Sequence, residues 1–279
     1  MPDPLSLARR PTARGGANTL RLLVSVRDAD EARVAAECGA DIVDAKDPAR
    51  EGLAGVSNPL LEAIVAAVSD RCPVSAAVGD IGDQAIVDAG HAASAGVIFI
   101  KVGCERIDAV SAIATWLRRA TEVLGAARAD PRSCALVVAA YADRPAARDA
   151  NRFVDLAARG GAAGVLLDTL HKTGPSLFGA MPPDVVARWV ETVHATGLWV
   201  ALAGGLAVAD IEVARSLGAD IIGVRGAACV GGRTGHLSAD RVRALVRLTR
   251  ETAPDRYCPT SCANFGLLRS ASHSGSMRK

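Results

Sequence analysis

Between Leu20 and Thr252 the chain alternates short apolar runs with longer Ala-rich stretches whose apolar residues recur every three or four positions. The short runs are Leu22–Val26, Asp41–Asp44, Val74–Val78, Val97–Val102, Leu136–Ala140, Gly164–Asp168, Trp199–Ala203 and Ile221–Val224. Near-continuous β-branched and aliphatic runs of this length predict strands buried on both faces, the signature of a parallel sheet. The longer stretches predict helices near 29–38, 59–68, 84–95, 108–127, 147–159, 183–196, 209–217 and 238–252. Three helix-to-strand boundaries share one device: Cys38-Gly39-Ala40-Asp41, Leu217-Gly218-Ala219-Asp220 and Gly160-Gly161-Ala162-Ala163. A glycine just past the last turn supplies the left-handed cap, after which a buried strand begins.

Eight strands, each followed by a helix, predict a single (β/α)₈ TIM barrel. An open doubly wound sheet would place a glycine-rich turn after the first strand, and this chain has Val26-Arg27-Asp28-Ala29-Asp30 there. The predicted barrel occupies 21–252. Residues 1–20, rich in Pro, Gly and Arg, read as a flexible extension without the apolar stretch of a secretory signal, and the Ser-rich 253–279 as a flexible tail.

Composition narrows the function classes. Half of the 279 residues are apolar, which excludes a wholly disordered chain. A net charge of +2 gives no field that argues for nucleic acid. No apolar run approaches the ~18–20 residues that span a bilayer. The seven cysteines follow no framework spacing and point to a reducing, cytoplasmic setting. Cys258 and Cys262 resemble half a metal site, but no second pair of ligands follows them, and no metal is expected.

One compositional fact bears directly on chemistry. The 32 basic residues divide into 28 arginines and 4 lysines, as if Lys were kept only where Arg does not serve. In a (β/α)₈ barrel the active site lies at the C-terminal ends of the strands. Those ends read Asp44-Ala45-Lys46-Asp47-Pro48, Val78-Gly79-Asp80, Ile100-Lys101-Val102-Gly103, Ala140-Tyr141-Ala142-Asp143, Asp168-Thr169-Leu170-His171-Lys172, Ala203-Gly204-Gly205 and Val224-Arg225-Gly226-Ala227-Ala228. Three of the four lysines are there, and the fourth, Lys279, is the last residue. Arg makes ion pairs at least as well as Lys, so pairing alone does not explain the exceptions. Amine chemistry does, because a guanidinium is not deprotonated near neutral pH.

Asp44 and Lys46 are two apart and project to one face while the strand continues. The second, fourth, sixth and eighth strands supply Lys46, Lys101, the Asp168–Lys172 pair and Arg225, and alternate strands share layers of a barrel interior. Neighbouring ammonium groups lower one another's pKa, and Asp44 and Asp168 are candidates for moving protons. Gly204, Gly205, Arg225, Gly226 and Ala227, at the seventh and eighth strand ends, are the candidate phosphate site, where backbone N–H groups can approach an anion. Gly231-Gly232-Arg233 is a candidate extension of that loop. Asp80 is a candidate to stand behind the site or to bind a substrate hydroxyl, though a strand-end Asp also caps the following helix. His171 reads equally as a proton relay or an exposed loop residue. Tyr141 and Asp143 stand undecided, and His91 and His194 read as structural.

The strand-end motifs at Asp44–Pro48, Val78–Asp80, Ile100–Gly103, Leu167–Thr169 with Lys172, and Val224–Cys229 together resemble the (5-formylfuran-3-yl)methyl phosphate synthase family of methanofuran biosynthesis, in order from about Leu22 to Val246. The resemblance implies a (β/α)₈ lyase that condenses two glyceraldehyde 3-phosphate molecules with loss of one phosphate and two waters. It implies no cofactor and no metal. It places the family's Schiff-base lysine on Lys46, its motif aspartate on Asp44, its other catalytic lysines on Lys101 and Lys172, and its second aspartate on Asp168. Ala45 stands where the family pattern has Val.

Two other readings stay open at this level: another Schiff-base aldolase acting on triose or sugar phosphates, and a non-catalytic barrel that binds a phosphorylated metabolite. The partner expected of the synthase is a small triose phosphate. Barrels of this size often associate, so a homo-oligomer is the base-rate expectation.

Overall fold

The computed structural model describes residues 20–106, 108–127 and 134–251, so the two terminal segments, the Cys258–Cys262 pair and Lys279 lie outside it. Eight parallel strands close on themselves: β1 Arg21–Val26, β2 Ile42–Ala45, β3 Val74–Asp80, β4 Phe99–Cys104, β5 Ala135–Tyr141, β6 Gly164–Asp168, β7 Trp199–Leu202 and β8 Ile221–Val224, with β8 pairing back onto β1. Around them lie α1 Ala29–Glu37, α2 Asn58–Val68, α3 Asp83–Ser94, α4 Ile113–Ala127, α5 Ala150–Arg159, α6 Leu177–Ala180, α7 Pro183–Ala195, α8 Asp210–Ser216 and α9 Ala239–Arg250. The architecture is the predicted (β/α)₈ barrel.

Strand parity builds two cores. Leu22, Val24, Val43, Val102, Leu136, Val165, Val200 and Ile222 face outward and pack under the helices. Leu23, Ile42, Ala77, Phe99, Val137, Leu166, Trp199 and Ile221 face inward and form a separate core inside the barrel. Its aromatic floor is an edge-to-face pair, Phe99 and Trp199, with ring centroids 5.9 Å apart. Gly164 makes room for that floor, because a Cβ at this position would run into the Trp199 indole.

The glycine-capped boundaries do more than stop helices. Gly39, Gly161 and Gly218 take positive φ, as the caps require. In two of them the aspartate that follows clamps the neighbouring strand. Asp41 donates its N–H to the Leu22 carbonyl while its carboxylate accepts the Leu22 N–H at 2.8 Å. Asp220 does the same at Val200, with the carboxylate bond again 2.8 Å. This is why β2 begins at Ile42 rather than Asp41. His194, expected to be structural, is held at 2.8 Å from the same Asp220 carboxylate.

Other boundaries differ from the sequence pattern for local reasons. Val97 belongs to the cap of α3, bonding back to Ala92, so β4 starts at Phe99 and runs on to Cys104. The expected helix 108–127 opens as a 3₁₀ turn over Asp108–Ala112. The expected 147–159 helix begins at Ala150, because the Asp149 side chain accepts the Arg152 N–H at 3.0 Å and caps it there. Two small elements have no counterpart in the pattern: α6, and an antiparallel ribbon of β9 Cys229–Val230 and β10 His236–Leu237 beyond the eighth strand.

The crowding at Gly164 yields a stability test. Gly164→Ala should lower the free energy of unfolding by about 1–3 kcal/mol, the usual cost of overfilling a packed core. Adding Trp199→Leu should recover part of that loss in denaturant titrations. Additive losses in the double variant would contradict the packing described.

Candidate functional site

The charged residues gather because the register sets polar side chains side by side at the mouth of an apolar barrel. Ser25 on β1 pairs with Asp44 on β2, and Asp44 pairs with Ser75 on β3, so three inward-facing polar side chains share one row. Both hydroxyls donate to the Asp44 carboxylate, Ser75 to Oδ1 at 2.6 Å and Ser25 to Oδ2 at 2.9 Å. Lys101, projecting inward from β4, places Nζ 2.6 Å from Asp44 Oδ1. Asp44 is 1 % exposed and Lys101 5 %, so this ion pair is sealed from solvent.

A second carboxylate, Asp168 at the end of β6, serves two amines. Its Oδ1 accepts from Lys172 Nζ and from the Thr169 N–H, each at 2.7 Å, and its Oδ2 accepts from Lys46 Nζ at 3.3 Å. Lys172 Nζ also donates to the Thr169 carbonyl, and its backbone N–H donates to Glu51 Oε2 at 2.7 Å. Lys46 sits one residue past β2, its backbone N–H bonded to the Val26 carbonyl. The five residues expected to form the catalytic set therefore stand together.

Burial works against every charge in this cluster, and partners decide the outcome. Burial alone would raise the Asp44 carboxyl, but the Lys101 charge and hydrogen bond, the Ser75 bond and the Lys46 charge hold it below the usual range. Asp168 is likewise pushed up by burial and pulled well below the usual range by Lys46 and Lys172. Lys101 is lowered by burial, which Asp44 opposes and Lys46 reinforces. Lys172 is lowered to about 8, burial leading, Asp168 opposing and Lys46 adding to the drop. With all three amines charged, this five-residue cluster carries one excess positive charge, which suits an anionic ligand.

These residues line a pocket of about 430 Å³ that runs down to Phe99 and Trp199 and up to the strand ends Ala203–Val208 and Val224–Ala227. Gly204 and Gly205 have positive φ, and a Cβ at Gly204 would lie 2.8 Å from the Thr169 nitrogen, so the β7 end and β6 end approach closely only because it is glycine. Among the described residues, no acceptor engages the N–H groups of Gly204, Gly205, Gly226 or Ala227. Unpaired N–H groups at adjacent strand ends are the kind of donor an anion site uses.

Three expectations need correcting. Arg225, expected in the phosphate-binding strand end and near the lysines, does line the same pocket, but its guanidinium is already bound. It pairs with Glu31 on α1 through both terminal nitrogens and donates to the carbonyls of Ser25, Arg233 and Gly235, at 3.1, 2.9 and 3.0 Å. Five bonds make it a tie between the β8 end, α1 and the ribbon loop, and leave it no donor to spare. Asp80, expected at a substrate hydroxyl, instead accepts the Tyr141 hydroxyl on Oδ1 at 3.1 Å, and it is not among the described residues lining the pocket. His171 is exposed and also outside the lining; its backbone N–H, with that of Leu170, donates to the Asp143 carboxylate. Tyr141 and Asp143 thus brace loops.

Sequence reasoning missed Ser25, Ser75 and Arg241. The serines left a signal, since each is a polar residue at an inward position of an otherwise apolar strand. Arg241, in the first turn of α9, reaches the pocket wall from outside the barrel and left none. Among the described residues, the cysteines are free and no group of three or more His, Cys, Asp or Glu is placed to hold a metal ion. No helix among them is long and apolar enough to cross a membrane.

Comparison with known proteins identifies the family. Residues 22–246 match the family model described as 4-HFC-P synthase. The (5-formylfuran-3-yl)methyl phosphate synthase of Methanosarcina barkeri is 34 % identical over 233 residues, covering 81 % of this chain and 98 % of the relative. That of Methanopyrus kandleri is 37 % identical over 234 residues, covering 81 % and 94 %. Among solved structures, KGPDC from Streptococcus mutans superposes with a TM-score of 0.61 at 16 % identity, over 84 % of this chain and 99 % of that one. A 3-hexulose-6-phosphate synthase does so at 0.55 and 18 %, over 81 % and 99 %. Likeness at that level is likeness of fold.

The sealed pair makes a direct prediction. Asp44→Asn leaves the Lys101 ammonium buried without a counter-charge and should cost about 3–5 kcal/mol of stability. Adding Lys101→Met should restore most of it in denaturant titrations. Costs that simply add would contradict the pairing.

Proposed function

Because the chain belongs to the 4-HFC-P synthase family, we propose that it condenses two molecules of glyceraldehyde 3-phosphate to (5-formylfuran-3-yl)methyl phosphate, with net loss of one phosphate and two waters, through an imine on Lys46. In this reading it is a carbon–oxygen lyase that supplies the furan of a methanofuran-type carrier.

The observation that carries the assignment is how differently the three amines are held. Lys101 is locked 2.6 Å from Asp44, and Lys172 is held by both Asp168 and the Thr169 carbonyl. Lys46 has the longest ion pair, 3.3 Å, and the most exposed side chain, 11 % against 6 % for each of the others. The least restrained amine is the one able to leave its partner and attack a carbonyl.

The Lys46 nitrogen adds to the aldehyde carbon, and the carbonyl oxygen departs as water to give the imine. Lys172, with a pKa of about 8, exists in part as a free amine near neutral pH and takes the proton from the adjacent carbon. The C–H electron pair becomes the C=C bond of an enamine. That pair then either forms the new C–C bond to the second aldehyde or expels phosphate from the neighbouring carbon, the C–O electrons leaving on phosphate. Ring closure, dehydration and hydrolysis of the imine return Lys46. Asp168, held ionised, keeps Lys46 and Lys172 in register, while the Asp44–Lys101 pair, neutral as a whole, turns a fixed dipole toward them from below. The free N–H groups of Gly204, Gly205, Gly226 and Ala227 take a substrate phosphate.

Incubation with glyceraldehyde 3-phosphate alone should release inorganic phosphate and produce the furan chromophore. Borohydride added during turnover should fix a three-carbon phosphate adduct on the peptide that contains Lys46. An aldol product without the furan would support a generic aldolase instead. An adduct on Lys101 or Lys172 would overturn the assignment of the nucleophile.

A further inference from the structure

Six cationic side chains line the pocket, and they are not equally neutralised. Lys46 and Lys172 share Asp168, Lys101 has Asp44, and Arg225 has Glu31. The remaining two, Arg233 and Arg241, make no ion pair among the described residues; each has a single hydrogen bond to a carbonyl. Arg241 Nη1 donates to the Cys229 carbonyl at 2.6 Å, close beyond the β8 strand end. Arg233 Nη2 donates to the Arg50 carbonyl at 2.7 Å, in the loop between β2 and α2.

Arg233 is held in place from its backbone outward. Its carbonyl accepts Arg225 Nε at 2.9 Å, and its nitrogen lies 3.6 Å from where a Gly226 Cβ would be. The side chain therefore reaches from the loop beyond β8, past the end of β1, to the Arg50 carbonyl in the loop after β2. It is half-buried, and its charge is felt at Lys172. Glu51, Asp168 and Asp47 favour its charge without pairing with it, and Glu51 Oε2 is bonded to the Lys172 N–H. A partly desolvated guanidinium with no carboxylate in ion-pair contact keeps donors to spare, and a fixed one in a pocket wall is suited to an anion that arrives from outside.

We propose that Arg233 is a second anion subsite, which binds the phosphate of the second triose phosphate while the glycine strand ends and Arg241 hold that of the first. This rests on the reading that two phosphorylated substrates share the pocket. Two phosphate dianions repel one another, so each needs its own donors. Planar, forked donors match a phosphate monoester.

Two experiments on the full chain test it. Arg233→Gln keeps an N–H for the Arg50 carbonyl and removes the charge; Arg233→Lys keeps the charge. With glyceraldehyde 3-phosphate, Arg233→Gln should trap the first adduct on Lys46 at wild-type concentrations of substrate. Furan formation should then require about ten- to a hundredfold more substrate, the worth of a charge-assisted hydrogen bond. Arg233→Lys should recover part of the loss, with the thermal midpoint of both variants unchanged. If trapping and furan formation fall together, or neither moves, the subsite is wrong. Binding of inorganic phosphate, followed by titration calorimetry, does not depend on turnover. The wild-type chain should bind two ions and Arg233→Gln one. One ion on the wild type, or two on the variant, overturns the proposal even if the wild type makes no furan, and absence of furan with two ions bound overturns only the reaction assigned above.

Discussion

Placing three ammonium groups and two carboxylates inside the mouth of an otherwise apolar barrel is the constraint from which the rest of the site follows. A buried charge without a partner costs several kcal/mol, so each carboxylate must be fully used. Asp44 accepts from Lys101, Ser75 and Ser25, and Asp168 accepts from Lys172, Thr169 and Lys46. The two carboxylates are nonetheless not equivalent. Asp44 closes a pair that nothing needs to leave, whereas Asp168 is divided between two amines, so either can be released while the other still neutralises it. The same arrangement has room for a tight ion pair and for a less restrained amine.

The barrel makes this possible through geometry. Inward positions carry the charges at the C-terminal end and an aromatic floor at the other, with Gly164 giving Trp199 the space it needs. The aspartate clamps at Asp41 and Asp220 fix the starts of β2 and β8 against their neighbours, and so the heights at which Asp44 and the Gly226 turn emerge. Arg225, bound to Glu31, ties the far rim to α1 and steadies the ribbon loop that bears Arg233.

Much of this is legible in the chain. Apolar periodicity and glycine-aspartate boundaries point to the eight-stranded barrel, because those signals are local. Lysine scarcity picks out Lys46, Lys101 and Lys172, the three amines that the barrel brings together at one mouth. What stays hidden depends on direction or on distance. Arg225 and Asp80 lie at strand ends as expected, yet their side chains find Glu31 and Tyr141, which no spacing reveals. His171 neighbours a site residue in sequence and faces solvent in space. The ribbon of β9 and β10 is too short for any period to announce, and Arg241 arrives from a helix on the outside of the barrel.

The claim that Asp168 is a shared counter-ion can be read directly from the amine it holds. Lys172, lowered by burial to about 8 even with Asp168 beside it, should show that midpoint when its side-chain signal is followed by NMR across pH in the labelled full-length protein. In Asp168→Asn the carboxylate that favours the charged amine is gone, while burial and the Lys46 charge remain, so the midpoint should fall below 8. A midpoint that stays where it was, or rises toward that of an exposed lysine, would contradict the account.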